Sequence, residues 1–172
     1  MQEILKDVIR PWKKGPTASK IRFSPLLSSS IKKNSLMKRK ATAIWNGSGK
    51  DGKGNVTTQS TTLNKTQYSY KSRFEEGVGT NPEELVAAAH AGCFAMKLSF
   101  VLQEAGFTAD EINAECVVTF DNGTIANSDL TVSAKVPGIS KEKFEECAKD
   151  AKENCPISKS LTAKIGMTAT LA

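Results

Sequence analysis

Four cysteines and one histidine decide which chemistry this 172-residue sequence can support. These residues are His90, Cys93, Cys116, Cys147 and Cys155. A single histidine excludes a multi-histidine metal site and the H-E-x-x-H motif, and the chain has no G-x-S-x-G elbow for a serine hydrolase. Glycine-rich phosphate and dinucleotide motifs are absent too, because the glycines at 47–54 precede no helical pattern. Thiol chemistry is what remains.

The cysteines are not spaced as a structural scaffold. No two of them form the C-x-x-C pair of a zinc ribbon or of a thioredoxin-like motif. We see no apolar segment with the flanks of a secretory signal, so we expect a cytoplasmic, reducing compartment with free thiols. These features favour redox chemistry over structural crosslinks.

Cys93 lies in the longest apolar segment of the chain, residues 85–102. This segment is hydrophobic nearly all round rather than along one stripe, which is typical of a helix buried in a core. A membrane span is the weaker interpretation, because Lys97 in mid-segment would be expensive there. We therefore expect a buried helix with a thiol in it.

The start and end of this helix are marked by capping residues. Asn81 is a suitable N-cap, Pro82 suits the first helical position, and Glu84 stands where a capping-box carboxylate would reach back. Gly106 is a suitable residue just beyond the C-terminus. The sequence predicts a helix from Asn81 to the vicinity of Gly106.

Cys93 has two competing interpretations, a buried structural thiol and a reactive thiolate. It lies about 18 Å beyond Asn81 along the axis, too far for the helix dipole to lower its pKa. A cation must come from elsewhere, and Arg73 is the candidate, with Glu83 holding its guanidinium in a charge-assisted fork. His90, three residues before the cysteine, is either the base for the thiol or a structural hydrogen-bonding group. A zinc site built on His90, Cys93 and another cysteine is a remote third interpretation.

A second helix is predicted to begin at the cap residue Ser140. Its apolar residues recur at three- and four-residue steps and share one face. They are Phe144, Ala148, Ala151 and Cys155. Because this face should pack on the cysteine-bearing helix, Cys155 is the natural resolving thiol. Cys116 and Cys147 are expected to be packing residues.

The remaining segments predict strands, and the order βββ-α-ββ-α-β indicates an α+β domain, in which we expect antiparallel sheets and two main helices. The third strand is expected to run from Gln67 to Phe74, which would place Arg73 close to the start of the buried helix. The predicted strands are Ala41 to Trp45, Val56 to Leu63, Gln67 to Phe74, Cys116 to Phe120, Leu130 to Val136 and Ile165 to Leu171.

The formal net charge of +6 is concentrated at the N-terminus. The first 36 residues hold eight Lys and Arg and two Asp and Glu, so residues 37–172 sum to zero and carry no electrostatic footprint for nucleic acid. Residues 1–36 are expected to be a disordered basic extension. Three origins stay open: sequence upstream of a true start at Met37, an organelle transit peptide, or a functional basic arm.

Several motifs together resemble the OsmC/Ohr family of thiol-dependent hydroperoxide reductases. They lie between Met37 and the C-terminus. The Glu-Glu-Leu and Ala-His-Ala sequences are more similar to those of the OsmC branch than to those of the organic hydroperoxide resistance (Ohr) branch. The motifs are Arg73-Phe74-Glu75, Gly79-Thr80-Asn81-Pro82-Glu83-Glu84-Leu85, Ala88-Ala89-His90-Ala91-Gly92-Cys93-Phe94, Val136-Pro137-Gly138-Ile139 and Cys155-Pro156-Ile157-Ser158. The sequence departs from the family pattern at Gly92, where alanine is commoner.

The resemblance implies an OsmC-like fold in an intertwined homodimer, with two active sites at the interface. Each site would contain Cys93 as peroxidatic cysteine, Cys155 as resolving cysteine, Arg73 and Glu83. The implied reaction reduces organic hydroperoxides to alcohols through a Cys93 sulfenic acid and a Cys93–Cys155 disulfide, in defence against oxidative or osmotic stress. A thiol or dithiol, such as a lipoylated protein or thioredoxin, would recycle the disulfide, and no metal, haem or flavin is implied. The alternative is a non-catalytic stress-induced binding protein of the same fold.

Overall fold

The computed structural model describes residues 36–172. Residues 39–172 form a compact unit. The predicted basic extension, residues 1–36, lies outside the described residues except for Leu36, so its three possible origins stay predictions.

The described part of the chain begins with an antiparallel three-stranded sheet, here called the N-terminal sheet, whose strands pair in the order of the sequence. Its strands are β1 (Ala41–Asn46), β2 (Lys53–Thr58) and β3 (Thr66–Ser69). A short helix, α1 (Tyr70–Phe74), follows directly, so the prediction that the third strand runs to Phe74 was wrong. The reason is a capping box, in which the Ser69 hydroxyl accepts from the Ser72 N–H and the Ser72 hydroxyl accepts from the Ser69 N–H. Arg73 therefore lies on a helix.

The long helix α2 (Pro82–Glu104) confirms the predicted apolar helix. The side-chain oxygen of Asn81 accepts a hydrogen bond from the Glu84 N–H at 2.8 Å, which satisfies a free donor of the first turn. At the other end the backbone turns left-handed at Gly106, with φ +88°. The Phe107 N–H then bonds to the Leu102 carbonyl, which closes the last turn.

The second sheet has the order β4-β5-β6, and the helices that follow β5 lead to β6. Strands β4 and β5 form a hairpin whose turn uses Asn122 and Gly123, both at positive φ. Strand β6 is parallel to β5 rather than antiparallel as expected, because the two helices carry the chain back to the end of the sheet where β5 begins. The elements are β4 (Glu111–Asp121), β5 (Thr124–Lys135), α3 (Lys141–Asn154), α4 (Pro156–Ser160) and β6 (Lys164–Leu171).

The hydrophobic core lies between α2, α3 and the second sheet, which confirms the α+β class. Its largest members are fully or nearly fully buried. They are Phe94, Leu98, Leu102, Leu130, Val132 and Phe144. Helix α2 is thus the central element of the domain, as its composition predicts.

One face of α2 and much of the N-terminal sheet stay open in the single chain. Met96 and Phe100 on α2 are 64% and 55% exposed, and Ile44 and Trp45 on β1 are 51% and 36% exposed. Within residues 36–172, no strand of the N-terminal sheet packs extensively on α3 or on the second sheet. By length and composition alone α2 could cross a membrane, but its other face packs into the protein core. An open apolar surface of this kind is typical of contacts with a partner.

Candidate active site

Cys93 and Cys155 face each other with their sulfur atoms 3.3 Å apart. Cys93 lies midway along α2, and Cys155 is the single residue between α3 and α4, where Pro156 stops one helix and starts the next. Both are free thiols; Cys93 is partly exposed and Cys155 is fully buried. Of the two thiols, Cys93 is therefore the one that solvent can reach in the single chain.

The environment of Cys93 within one chain favours the neutral thiol. Burial raises the pKa of the Cys93 thiol above its ordinary value, and the neighbouring Cys155 raises it further. The backbone N–H of Ile157, in the first turn of α4, lowers it but does not compensate. A reactive thiolate at this position requires a positive charge in addition to these groups.

Arg73 and Glu83 form the fork that the sequence predicts. Arg73 Nε lies 2.9 and 3.1 Å from the two carboxylate oxygens of Glu83, and Nη2 lies 2.6 Å from Oε1. Burial opposes ionisation of Glu83, but the hydrogen bonds and charge of Arg73 together with a backbone N–H outweigh it, so the pKa of Glu83 is lowered. The guanidinium is thus held in one orientation by a charged partner.

Two aromatic rings complete the surroundings of Arg73. The guanidinium carbon lies 4.8 Å from the ring centroid of Phe74 and 5.0 Å from that of Phe120, within cation–π range. Phe120 stands at a register shift between β4 and β5, where Ala126 is the extra residue of a bulge on β5. Sequence reasoning missed Phe120, because nothing in its local pattern marks the bulge or the distant arginine.

The arginine pair and the cysteine pair are separate within one chain. Glu83 precedes Cys93 by ten residues of α2, which is about 15 Å along the axis. Helical side chains tilt toward the N-terminus, which places the Glu83 carboxylate farther still from the cysteine, and the Arg73 guanidinium is bound to that carboxylate. The structure therefore brings together Cys93 with Cys155, and Arg73 with Glu83, but not the two pairs.

His90 is fully buried and both of its ring nitrogens bind serine hydroxyls. Nδ1 lies 2.7 Å from Ser128 Oγ, and Nε2 lies 2.8 Å from Ser158 Oγ. Burial lowers the pKa of His90, which keeps the ring neutral near pH 7. These bonds favour the structural interpretation of His90 over that of a base for Cys93. Sequence reasoning did not identify either serine as a partner of His90, because they lie 38 and 68 residues away along the chain.

The two other cysteines do not belong to the thiol pair. Cys147 is buried in the core on α3, as a packing residue would be. Cys116 on β4 lies 3.2 Å from Ser128 Oγ, so it both packs and extends the polar group around His90. In residues 36–172, no three His, Cys, Asp or Glu side chains are clustered as metal ligands.

The fold is α+β, and two free thiols lie close together at its central helix. These features place the chain in the class of dithiol proteins. A model of the family described as OsmC-like protein matches residues 75–170, and the chain belongs to this family. It is 44% identical over 131 residues to peroxiredoxin OsmC of Escherichia coli, covering 74% of this chain and 92% of that protein. It is 30% identical over 122 residues to organic hydroperoxide resistance protein OhrB of Bacillus subtilis, covering 69% of this chain and 88% of that protein.

Solved structures agree with this assignment. The crystal structure of OhrB from Bacillus subtilis superposes with a TM-score of 0.56 at 26% identity, covering 80% of this chain and all of that one. The higher identity to OsmC than to OhrB confirms that the chain is more similar to the OsmC branch.

Proposed function

We propose that this protein is a thiol peroxidase that reduces organic hydroperoxides to alcohols in defence against oxidative and osmotic stress. The observation that carries the proposal is the 3.3 Å approach of two free thiols, one partly exposed and one buried. The names peroxiredoxin and organic hydroperoxide resistance protein among its relatives support the same chemistry. We place the reaction in the cytoplasm, on a soluble protein without a nucleic-acid partner.

The first step takes place at Cys93. The thiolate attacks the distal oxygen of the hydroperoxide, the O–O bond breaks, and the departing alkoxide takes up a proton to leave as alcohol. Cys93 is left as a sulfenic acid, the first rung of thiol oxidation. The exposed apolar side chain of Met96, three residues after Cys93 on α2, favours organic hydroperoxides over hydrogen peroxide.

The second step takes place between the two cysteines. The Cys155 sulfur attacks the sulfur of the Cys93 sulfenic acid, a disulfide forms, and the hydroxyl leaves as water. The sulfur atoms must close from 3.3 Å to the disulfide length of about 2.05 Å, a movement that a side-chain rotation and a small shift can supply. An external thiol or dithiol, such as a lipoylated protein or thioredoxin, then reduces the disulfide by exchange.

The cation that the thiolate needs is assigned to Arg73 of the partner subunit in an intertwined homodimer. Two features support this assignment: the chain's own arginine is held by Glu83 about 15 Å away along α2, and the outer face of α2 and the N-terminal sheet are uncovered. In such a dimer the guanidinium stabilises the thiolate and the negative charge on the departing oxygen.

The test uses the reduced full-length protein and one equivalent of cumene hydroperoxide. We expect rapid loss of the peroxide and a Cys93–Cys155 disulfide in non-reducing peptide mass spectrometry. Cys93→Ser is the control that should abolish both. Persistent peroxide with four reduced thiols would instead favour a binding protein of the same fold.

Substrate preference is tested separately. Cumene hydroperoxide should have a higher kcat/KM than hydrogen peroxide, because the apolar surroundings of Cys93 favour an organic group. A higher kcat/KM for hydrogen peroxide would contradict this part of the proposal.

A further inference from the structure

The hydrogen bond between His90 and Ser158 connects the same two segments that carry the facing cysteines. His90 is three residues before Cys93 on α2, and Ser158 is three residues after Cys155 on α4. The bond between Nε2 and the Ser158 hydroxyl, 2.8 Å long, therefore runs beside the 3.3 Å contact of the two sulfur atoms. A displacement of α4 away from α2 would have to break it.

Besides this bond, helix α4 is held to the described core by Ile157, whose side chain packs partly on it and whose backbone N–H bonds to Cys93. It contains five residues, none of them fully buried, and its N-cap residue makes no side-chain capping bond. Helices this short are not stable by themselves, so their placement depends on tertiary contacts. Ser160 bonds only within α4, to the Pro156 carbonyl, and Lys159 bonds to Asn154 at the end of α3. Among the described residues, the bond to His90 is the hydrogen bond that a side chain of α4 makes to α2, and it acts beside the bond from the Ile157 N–H to Cys93.

The imidazole is itself held rigidly. His90 is fully buried, and its second nitrogen lies 2.7 Å from Ser128 on the central strand β5. Either neutral tautomer satisfies both nitrogens, since a serine hydroxyl both donates and accepts. Through these two hydrogen bonds the ring keeps α4 at a fixed distance from β5.

We propose that His90 is a positioning residue for the second half of the reaction: through Ser158 it keeps Cys155 within reach of the Cys93 sulfenic acid. The inference rests on the proposed two-cysteine function. It assigns the His90–Ser158 bond to disulfide formation and gives it no part in the attack on the peroxide, because neither residue bonds to Cys93.

Loss of this bond should separate the two steps. Without it Cys155 is held less firmly, so the sulfenic acid at Cys93 lives longer. When hydroperoxide is in excess, a second molecule can then transfer an oxygen to the sulfenic sulfur, which releases another alcohol and leaves a sulfinic acid. Weakened positioning should therefore appear as slower disulfide formation and greater overoxidation.

The test compares four full-length proteins: wild type, Ser158→Ala, Ser158→Thr and the control Ser160→Ala on the exposed side of α4. Ser158 is the position to change, because replacing the fully buried His90 would disturb the core. After one equivalent of cumene hydroperoxide, peroxide loss, trapping of sulfenic acid by dimedone and disulfide formation are followed in time.

We expect Ser158→Ala to consume peroxide within about twofold of wild type but to form the disulfide about tenfold more slowly, a change of about 1.4 kcal/mol in the barrier. Dimedone trapping should rise, Ser158→Thr should restore the rate, and Ser160→Ala should behave as wild type. A wild-type disulfide rate in Ser158→Ala, or an equal loss in both steps, overturns the inference alone. Absence of the disulfide in wild type overturns the proposed function and the inference with it.

Discussion

Burial and Cys155 both raise the pKa of the Cys93 thiol, so the proposed reaction requires a positive charge that stabilises its thiolate. At the scale of single residues the proposal therefore depends on the positive charge of Arg73. Replacing Arg73 with alanine should move the pH profile of Cys93 alkylation by iodoacetamide to higher pH, since the thiolate then loses its compensating charge. The rate of reaction with cumene hydroperoxide at pH 7 should fall by about tenfold to a hundredfold.

Arg73→Lys is the matched variant for this prediction. It keeps the charge but not the fork on Glu83, so its alkylation profile should lie between those of wild type and Arg73→Ala. Circular dichroism should show the same fold in all three proteins. An alkylation profile unchanged in Arg73→Ala would remove Arg73 from the mechanism.

At the scale of elements, alanine substitutions at two glycines near the site are expected to change the free energy of unfolding in opposite directions. Gly79 lies at φ +116° just before α2, and a Cβ there would collide with the Gln67 carbonyl. Gly79→Ala should therefore lower the free energy of unfolding by about 2 kcal/mol or more and disturb the approach of α1 to α2.

Gly92 lies within α2, where a Cβ would meet nothing within 4 Å. Gly92→Ala should raise the free energy of unfolding by about 0.5 to 1 kcal/mol, because alanine is the better helix former. Urea unfolding of both variants beside wild type checks the pair. Equal destabilisation by the two substitutions would contradict the prediction and indicate that the exposed side of Gly92 is closely packed in the assembled protein.

How much of the element structure could be predicted depends on the range of the interactions. The bounds of α2 follow from Asn81, Pro82 and Gly106, and the face of α3 follows from its periodicity, since these signals are local. The turn into α1 was missed, because its capping box uses serine at the position where glutamate or glutamine is the usual signature. The parallel pairing of β5 and β6 was missed because strand direction depends on the path of the intervening helices.

The range of the interactions also decides which features of the candidate site could be predicted from the sequence. Thiol chemistry and the Arg73–Glu83 fork could be inferred from residue types and from short separations along the chain. The bonds of His90 to Ser128 and Ser158, and the ring of Phe120 beside Arg73, join residues that are 38 or more positions apart. No local pattern predicts such contacts, because they arise only when the second sheet and the helices pack.

At the scale of the whole molecule, the proposed homodimer predicts that two inactive proteins complement each other. Arg73→Ala subunits retain Cys93, and Cys93→Ser subunits retain Arg73. When the two are unfolded and refolded together, a mixed dimer contains one intact site if the arginine comes from the partner subunit. Random pairing of equal amounts should recover about a quarter of wild-type peroxidase activity.

The parent proteins refolded separately are the controls for this experiment, and light scattering gives the oligomeric state. If each arginine served the cysteine of its own chain, no mixed dimer would contain an intact site. Activity no higher than that of the parents would therefore exclude the exchange of arginines between subunits.

The place of the cysteines along the chain has one more consequence. Cys93 and Cys155 are 62 residues apart, so the proposed disulfide between them would enclose a large part of the domain. Closing a loop of this length lowers the conformational entropy of the unfolded chain, which raises the free energy of unfolding by about 4 kcal/mol. Oxidised protein should melt at a higher temperature than reduced protein in calorimetry, and Cys155→Ser should abolish the difference. Equal melting temperatures would contradict this expectation. Each turnover would then convert the protein from a less heat-resistant reduced form to a more heat-resistant oxidised form and back. Resistance to heat or to proteolysis would therefore report the fraction of the protein that is oxidised.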